Sequence, residues 1–316
     1  MLGPAVAALA LALLPLSGGV AVAPPVEAGR PLPVPLRGVT TESVGHLDAL
    51  VRALARHTTT PTVRVVFQPG RSPASYATAV RRIRRHAYVM GQPFDSTATR
   101  AASVGDFRRR FEAYVDRFGD RVDVWEIGNE LNGEWVGRPR DIDAKVAAAF
   151  DVVERRHRAE HLRSAVTLNY WPSHDCYAHR WEQTLRFARQ LPSRVRKGVD
   201  LVLLSFYETA CSPRAHPTDA RFVRVFRALG RVFPHARLGM GEIGAQGRAD
   251  GLPADPTLRE KKRIAERYYG LQPTLAAELG ARWVGGYFWW YYLQDAVLAP
   301  RRRSLWPTLD RLLAAL

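Results

Sequence analysis

The sequence predicts an α/β fold of the (β/α)8 TIM-barrel type in a single domain, and three observations predict it. Short apolar, β-branched runs alternate with longer segments of helical spacing along residues 36–316. The alternation occurs eight times, whereas an open doubly wound sheet usually has about five or six strands. The first run is not followed by the GxGxxG of a dinucleotide-binding unit. A chain of 316 residues that is 47% apolar is long enough for one such barrel, and no linker or solenoid repeat divides it.

The first strand is read in LRGVTTES (36–43), and a helix over 46–57 follows with Leu47, Leu50, Val51 and Leu54 on one face. The second strand is TVRVVFQPG (62–70), with a helix over 73–86 striped by Tyr76, Val80 and Ile83. The third is AYVMGQPF (87–94). Its helix covers 104–118, with Ser103 as N-cap, Phe107, Phe111, Val115 and Phe118 on one face, and Gly119 at its end. The fourth strand is VDVWEIGNE (122–130), followed by a helix over 142–160. The fifth, AVTLNYW (165–171), precedes a helix over 179–190, and the sixth, DLVLLSFYE (200–208), precedes one over 218–232. The seventh, ARLGMGEIG (236–244), leads to a helix over 258–279 with a break at Pro273. The eighth is ARWVGGYFWWYY (281–292), and a last helix covers 305–315.

Residues 5–16, AVAALALALLPL, form an apolar run of signal-peptide length, too short to span a bilayer comfortably. Cleavage is expected after Ala23 or Ala28, leaving residues 29–316 as the mature domain, although no Lys or Arg precedes the run. Export places the protein outside the cell, at its surface or in the periplasm, with no stable membrane insertion after cleavage. In that setting the two cysteines, Cys176 and Cys211, are expected to pair as a disulfide. The net charge is +16, almost all from arginine spread along the helices. No zinc-finger, P-loop or RNA-recognition signature accompanies it, so nucleic acid is not expected as a partner; the charge favours anionic glycans among possible substrates. A monomer is expected.

The barrel ranks the glutamates of VWEIGNELNGEW (124–135). Active sites in this fold lie at the C-terminal ends of the strands. Strand alternation puts Glu126, Gly128 and Glu130 on one face, with Glu126 about 13 Å below Glu130 at roughly 3.3 Å per residue. Glu126 then sits inside the barrel and needs a partner such as an arginine, while Glu134 falls on the rim loop. Glu130 reaches the mouth, and Glu242 at the end of the seventh strand faces it. Two facing carboxylates, one protonated and one ionised, suit glycoside hydrolysis; at about 5 Å apart they imply double displacement with retention.

With these residues the sequence resembles clan GH-A, the retaining (β/α)8 glycoside hydrolases, in a family 39-like or family 5-like style. The clan's Asn-Glu at the end of strand four matches Asn129-Glu130, and its strand-seven nucleophile matches Glu242 in GMGEIG. The resemblance implies that Arg64 and Tyr207 steady the nucleophile and that Trp289 or Trp290 lines the sugar site. Asn129 would bond the sugar 2-hydroxyl, with Trp171 as a further sugar platform. Many members carry a histidine where this chain has Ser205. Glu130 then serves as acid and later base, its carboxyl held neutral by the like charge of Glu242. The substrate implied is a β-linked poly- or oligosaccharide, and neither cofactor nor metal is required. The alternative is a non-catalytic barrel that binds sugar or cell wall.

Overall fold

The computed structural model describes residues 30–316; the signal segment and its cleavage sites lie outside them. The strands are β1 (Leu36–Thr41), β2 (Thr62–Val66), β3 (Tyr88–Gln92), β4 (Val124–Gly128), β5 (Ser164–Asn169), β6 (Leu201–Phe206), β7 (Arg237–Ile243) and β8 (Trp283–Trp289). They form a closed, wholly parallel barrel in chain order, with β8 pairing back to β1. Around it run α1 (Leu47–Ala55), α2 (Pro73–Arg84), α3 (Ser96–Thr99), α4 (Val104–Phe118), α5 (Pro139–Glu160), α6 (Thr184–Gln190), α7 (Ser193–Gly198), α8 (Asp219–Val232), α9 (Leu258–Tyr269), α10 (Gln272–Leu279) and α11 (Trp306–Ala314). The architecture is the predicted (β/α)8 barrel in one domain.

Local chemistry sets the boundaries. Ser103 caps α4 in a reciprocal box with Asp106, its hydroxyl accepting from the Asp106 amide. Helix α5 starts at Pro139, three residues before the predicted start, because proline fits the first helical turn. The predicted helix over 179–190 is instead a 3-10 turn, Arg180–Glu182, followed by the shorter α6. The Glu182 carboxylate accepts from the His179 amide and closes that turn on itself. The break between α9 and α10 falls at Gly270 and Leu271; Pro273 sits in the first turn of α10, where no amide is missed.

Two cores position the site. One fills the space between barrel and helices, including Val63, Val65, Ile127, Val166, Leu204 and Ile243. The other plugs the barrel itself with Met90, Val124, Leu203 and Phe288 among its members. Such a plug is usual where alternate strands point their side chains inward. The close approach of β8 to β7 requires Gly286: its φ is +105°, and a Cβ there would lie 2.1 Å from the carbonyl oxygen of its register partner Met240.

Candidate active site

Above the apolar plug lies a charged layer. Arg64 of β2 is fully buried, with its guanidinium carbon 5.1 Å from the centre of the Phe288 ring. One of its terminal nitrogens donates to Glu126 Oε1 at 2.9 Å, and the other to Glu242 Oε2 at 2.7 Å. Thr167 of β5 also donates to Glu126. Glu126 therefore has the arginine partner expected of an interior carboxylate. A buried guanidinium between two carboxyl groups is fully partnered; removing the arginine would leave them uncompensated and cost far more than the net worth of the pair.

At the barrel mouth a cavity of about 380 Å3 is lined by residues from six strand ends and loops, among them Asn129, Glu130, Trp171, Tyr207, Glu242 and Trp290. Glu242 is buried and takes a second hydrogen bond, 2.7 Å, from the Tyr207 hydroxyl. Glu130 accepts from the Ser205 hydroxyl at 2.7 Å and from Ser96 at 3.1 Å. Ser205 is the register partner of Glu242 across β6 and β7. One residue thus ties the two glutamates to a common part of the wall. The Asn129 amide reaches Glu242 Oε2 at 3.5 Å.

Glu130 arrives by a route that alternation does not describe. Strand β4 ends at Gly128, and Glu130 has a left-handed backbone with φ +49°. A non-glycine residue there carries strain that its surroundings must hold. Asn132 supplies much of that hold. It is fully buried, its amide donates to the carbonyls of Asn169 and Glu182, and its oxygen accepts from the Asn169 amide. Asn169 in turn donates to the Glu130 carbonyl at 3.2 Å.

The two carboxyl groups have unlike environments. Burial is the largest influence on Glu130 and raises it to about 7; the Asp95 charge adds, while Ser205, Ser96 and Arg64 oppose. Burial, rather than the expected charge of Glu242, thus leads. Burial also pushes Glu242 up, with the Glu130 charge adding and Arg64 and Tyr207 opposing. Two carboxylates sharing one cavity do not both ionise readily, so the proton settles where support for charge is weaker. Glu242 has a guanidinium and a phenol in contact, whereas Glu130 has two hydroxyls. These contacts favour the negative charge on Glu242 and the proton on Glu130. Tyr207 is pushed well upward by burial and the nearby carboxylates and stays a donor.

The tryptophans separate. Trp290 and Trp171 line the cavity. Trp289 does not: it is fully buried in the outer core, and its indole donates to Asp295 at 3.0 Å, which also pairs with Lys261 at 2.5 Å. Strand alternation turns these neighbours to opposite sides, so the expectation for Trp289 is corrected. Cys176 and Cys211 form a disulfide that joins the loops after β5 and β6. Glu134 lies exposed on the rim, 3.4 Å from His179. Among the described residues, Glu134, His179 and Glu182 bring ligand-type atoms within 4.8 Å of one another, outside the cavity.

Several lining residues escaped the sequence reading: Asp95, Ser96, Trp135, Asn169, Gln246, Asp250 and Tyr291. Asp95 carried a signal, since Asp-x-Thr is a helix-start pattern and Asp95 does cap α3. Asn169 ends β5, and the others lie in the connections after strands, whose paths have no periodicity to read. Among the described residues the cavity is lined by the carboxyl groups of Asp95, Glu130, Glu242 and Asp250 and by no Arg, Lys or His. Its field opposes an anionic sugar, contrary to what the net charge favoured.

No family model matches the chain, and no curated protein matches it. Solved structures do. A β-glucosidase from Exiguobacterium marinum is similar at TM-score 0.55 and 13% identity, over 78% of this chain and 77% of that one. A structure from a study of two fungal β-1,4-galactanases is similar at TM-score 0.56 and 12% identity, over 90% and 100%. A glycoside hydrolase family 5 enzyme from Prevotella bryantii is similar at TM-score 0.54 and 14% identity, over 89% and 92%. At such identities the likeness carries the barrel fold; the chemistry rests on the residues of this chain.

Proposed function

We propose that the chain is a secreted, monomeric retaining glycoside hydrolase that cleaves β-glycosidic bonds of a poly- or oligosaccharide. The observation that carries this reading is the pair of carboxyl groups in one cavity, one bound to Arg64 and Tyr207, the other held by hydroxyls alone. The first is suited to attack as a carboxylate and the second to give up a proton. The named activities of the similar structures, β-glucosidase and β-1,4-galactanase, support the same class. The disulfide and the apolar run near the N-terminus support export.

In the first step Glu242 bonds the anomeric carbon as the bond to the leaving oxygen breaks, and the Glu130 proton passes to that oxygen. In the second, water attacks the anomeric carbon, Glu130 takes a proton from it, and Glu242 leaves as carboxylate. Arg64 and Tyr207 keep Glu242 charged and aimed, and Asn129 and Trp290 orient the sugar.

The test is a panel of defined β-glycans with product anomers followed by NMR. Retained β-product is expected from the wild type. Glu242→Gln and Glu130→Gln are expected to lose roughly 10^3-fold or more of kcat on unactivated glycans. Inverted product would remove the nucleophile from Glu242, and a wild type inert toward the whole panel would leave the non-catalytic sugar-binding barrel.

A further inference from the structure

The aromatic residues of the cavity belong to two different walls. Trp171 follows β5, and Trp135 sits in the 3-10 turn Glu134–Val136 after β4, on the strand that leads to Glu130. Trp290 and Tyr291 follow β8, whose neighbour β7 carries Glu242. The closed order β1 to β8 puts the first pair beside the acid and the second beside the nucleophile.

The chemistry gives these sides different ligands. The nucleophile must meet the anomeric carbon of the sugar that is retained. The acid must meet the oxygen of the sugar that departs. Resting on the hydrolase reading above, we propose that Trp135 and Trp171 form the subsite for the departing sugar, an uncharged pyranose seated in the corner of the two indoles with its C–H face on one of them.

The wall is built as a rigid platform. The two rings stand edge to face, 6.3 Å between centroids at 80°. Trp171 packs against the Cys176–Cys211 disulfide in a small cluster that Trp135 borders. Gly133 leaves the room that the Trp135 ring occupies, since a Cβ there would lie 2.5 Å from it. Asn132 bonds both Asn169 and Glu182, and Glu134 meets His179, so the loops after β4 and β5 are joined on either side of the rings. Aromatic rings held in place lose little freedom on binding and offer large apolar area. With four carboxylates in the cavity and no cation, this surface suits a neutral ring.

The same subsite must take the incoming acceptor when the glycosyl-enzyme is intercepted by a sugar instead of water. That gives two readouts that a general packing role does not share. Glycosyl fluorides carry no departing sugar, so they report the retained side alone. In Trp171→Ala and Trp135→Ala the ratio of kcat/KM on an oligosaccharide to kcat/KM on the matching β-glycosyl fluoride is expected to fall roughly tenfold. The ratio of transfer to an added sugar over hydrolysis should fall with it. Trp171→Phe, which keeps a ring, should recover most of both, and guards against a fold defect in the alanine variant. Equal losses on both substrates, or unchanged ratios in a folded variant, would overturn the assignment while leaving the hydrolase reading intact. A wild type that cleaves neither glycan nor fluoride would sink the hydrolase reading, and the subsite with it.

Discussion

Glu130 shows how much a single residue is asked to hold. Its backbone is left-handed, its carboxyl faces a second carboxyl across the cavity, and only hydroxyls contact it. Its value of about 7 places the basic limb of kcat/KM near that pH, because the acid must be protonated to act. Ser205→Ala removes a hydroxyl donor that favours the ionised form, so that limb should move to higher pH, with kcat/KM measured from pH 4 to 9 as the check. The same shift has a cost for stability. The folded value, about 7, lies above the ordinary 4.5. The folded protein therefore binds the extra proton, and stability falls as pH rises from about 4.5 to about 7. Glu130→Gln abolishes that dependence. It should unfold at higher temperature than the wild type at pH 8, by at most about 3 kcal/mol and less because the cavity admits water, and gain little at pH 4. A lower melting temperature for the variant at pH 8 would mean that the carboxylate is well supported after all.

At the scale of elements, the strands carry the site and the loops shape it. Removing the disulfide tests one such loop pair. Cys176 and Cys211 are 35 positions apart in sequence, so Cys176→Ser with Cys211→Ser is expected to cost about 4 kcal/mol in denaturant unfolding if chain entropy dominates. A loss under about 1 kcal/mol would show that the neighbouring hydrogen bonds hold the loops without it. Order and identity of the eight strands were legible because parallel strands buried on both faces read as apolar runs. Glu242 was legible from its place at the end of the seventh strand, and Arg64 only through the family resemblance. Glu126 was placed by alternation, and the need of a buried charge for a partner pointed to an arginine, which the structure identifies as Arg64. Glu130 was placed correctly at the mouth for an incomplete reason, since the strand ends two residues earlier and a left-handed turn does the rest. Trp289 and Trp290 show the limit of the reading: adjacent residues face opposite sides, and the bulges that pair β8 with its neighbours decide which faces inward. Ser96, Trp135 and Asp250 come from short helical turns within the connections after β3, β4 and β7, whose paths are set by tertiary contacts with no sequence period.

At the scale of the whole molecule, the exterior and the cavity carry opposite signs. The chain holds 46 Lys and Arg against 30 Asp and Glu, which gives +16, yet the cavity is lined by carboxyl groups and, among the described residues, by no Arg, Lys or His. The single guanidinium beneath it, Arg64, is already shared by Glu126 and Glu242. A polyanion is therefore drawn to the surface and repelled from the catalytic pair. Such attraction between exposed charges decays over about 8 Å at physiological salt. Dextran sulfate should thus bind at low salt and release as salt rises, with a steep dependence measurable by titration calorimetry or ion-exchange retention. It should not compete for the cavity. With a neutral oligosaccharide as substrate, saturating dextran sulfate is expected to leave KM within about twofold, since a long-range field at a surface site contributes little once screened. A uronate-bearing oligosaccharide of the same linkage should have the lower kcat/KM, because its carboxylate must approach Glu242 and Asp95 without a cation to meet it. If the uronate substrate were instead preferred, a cation would have to enter the cavity with it, and the arginine-rich exterior would be part of substrate recognition rather than a solvated surface.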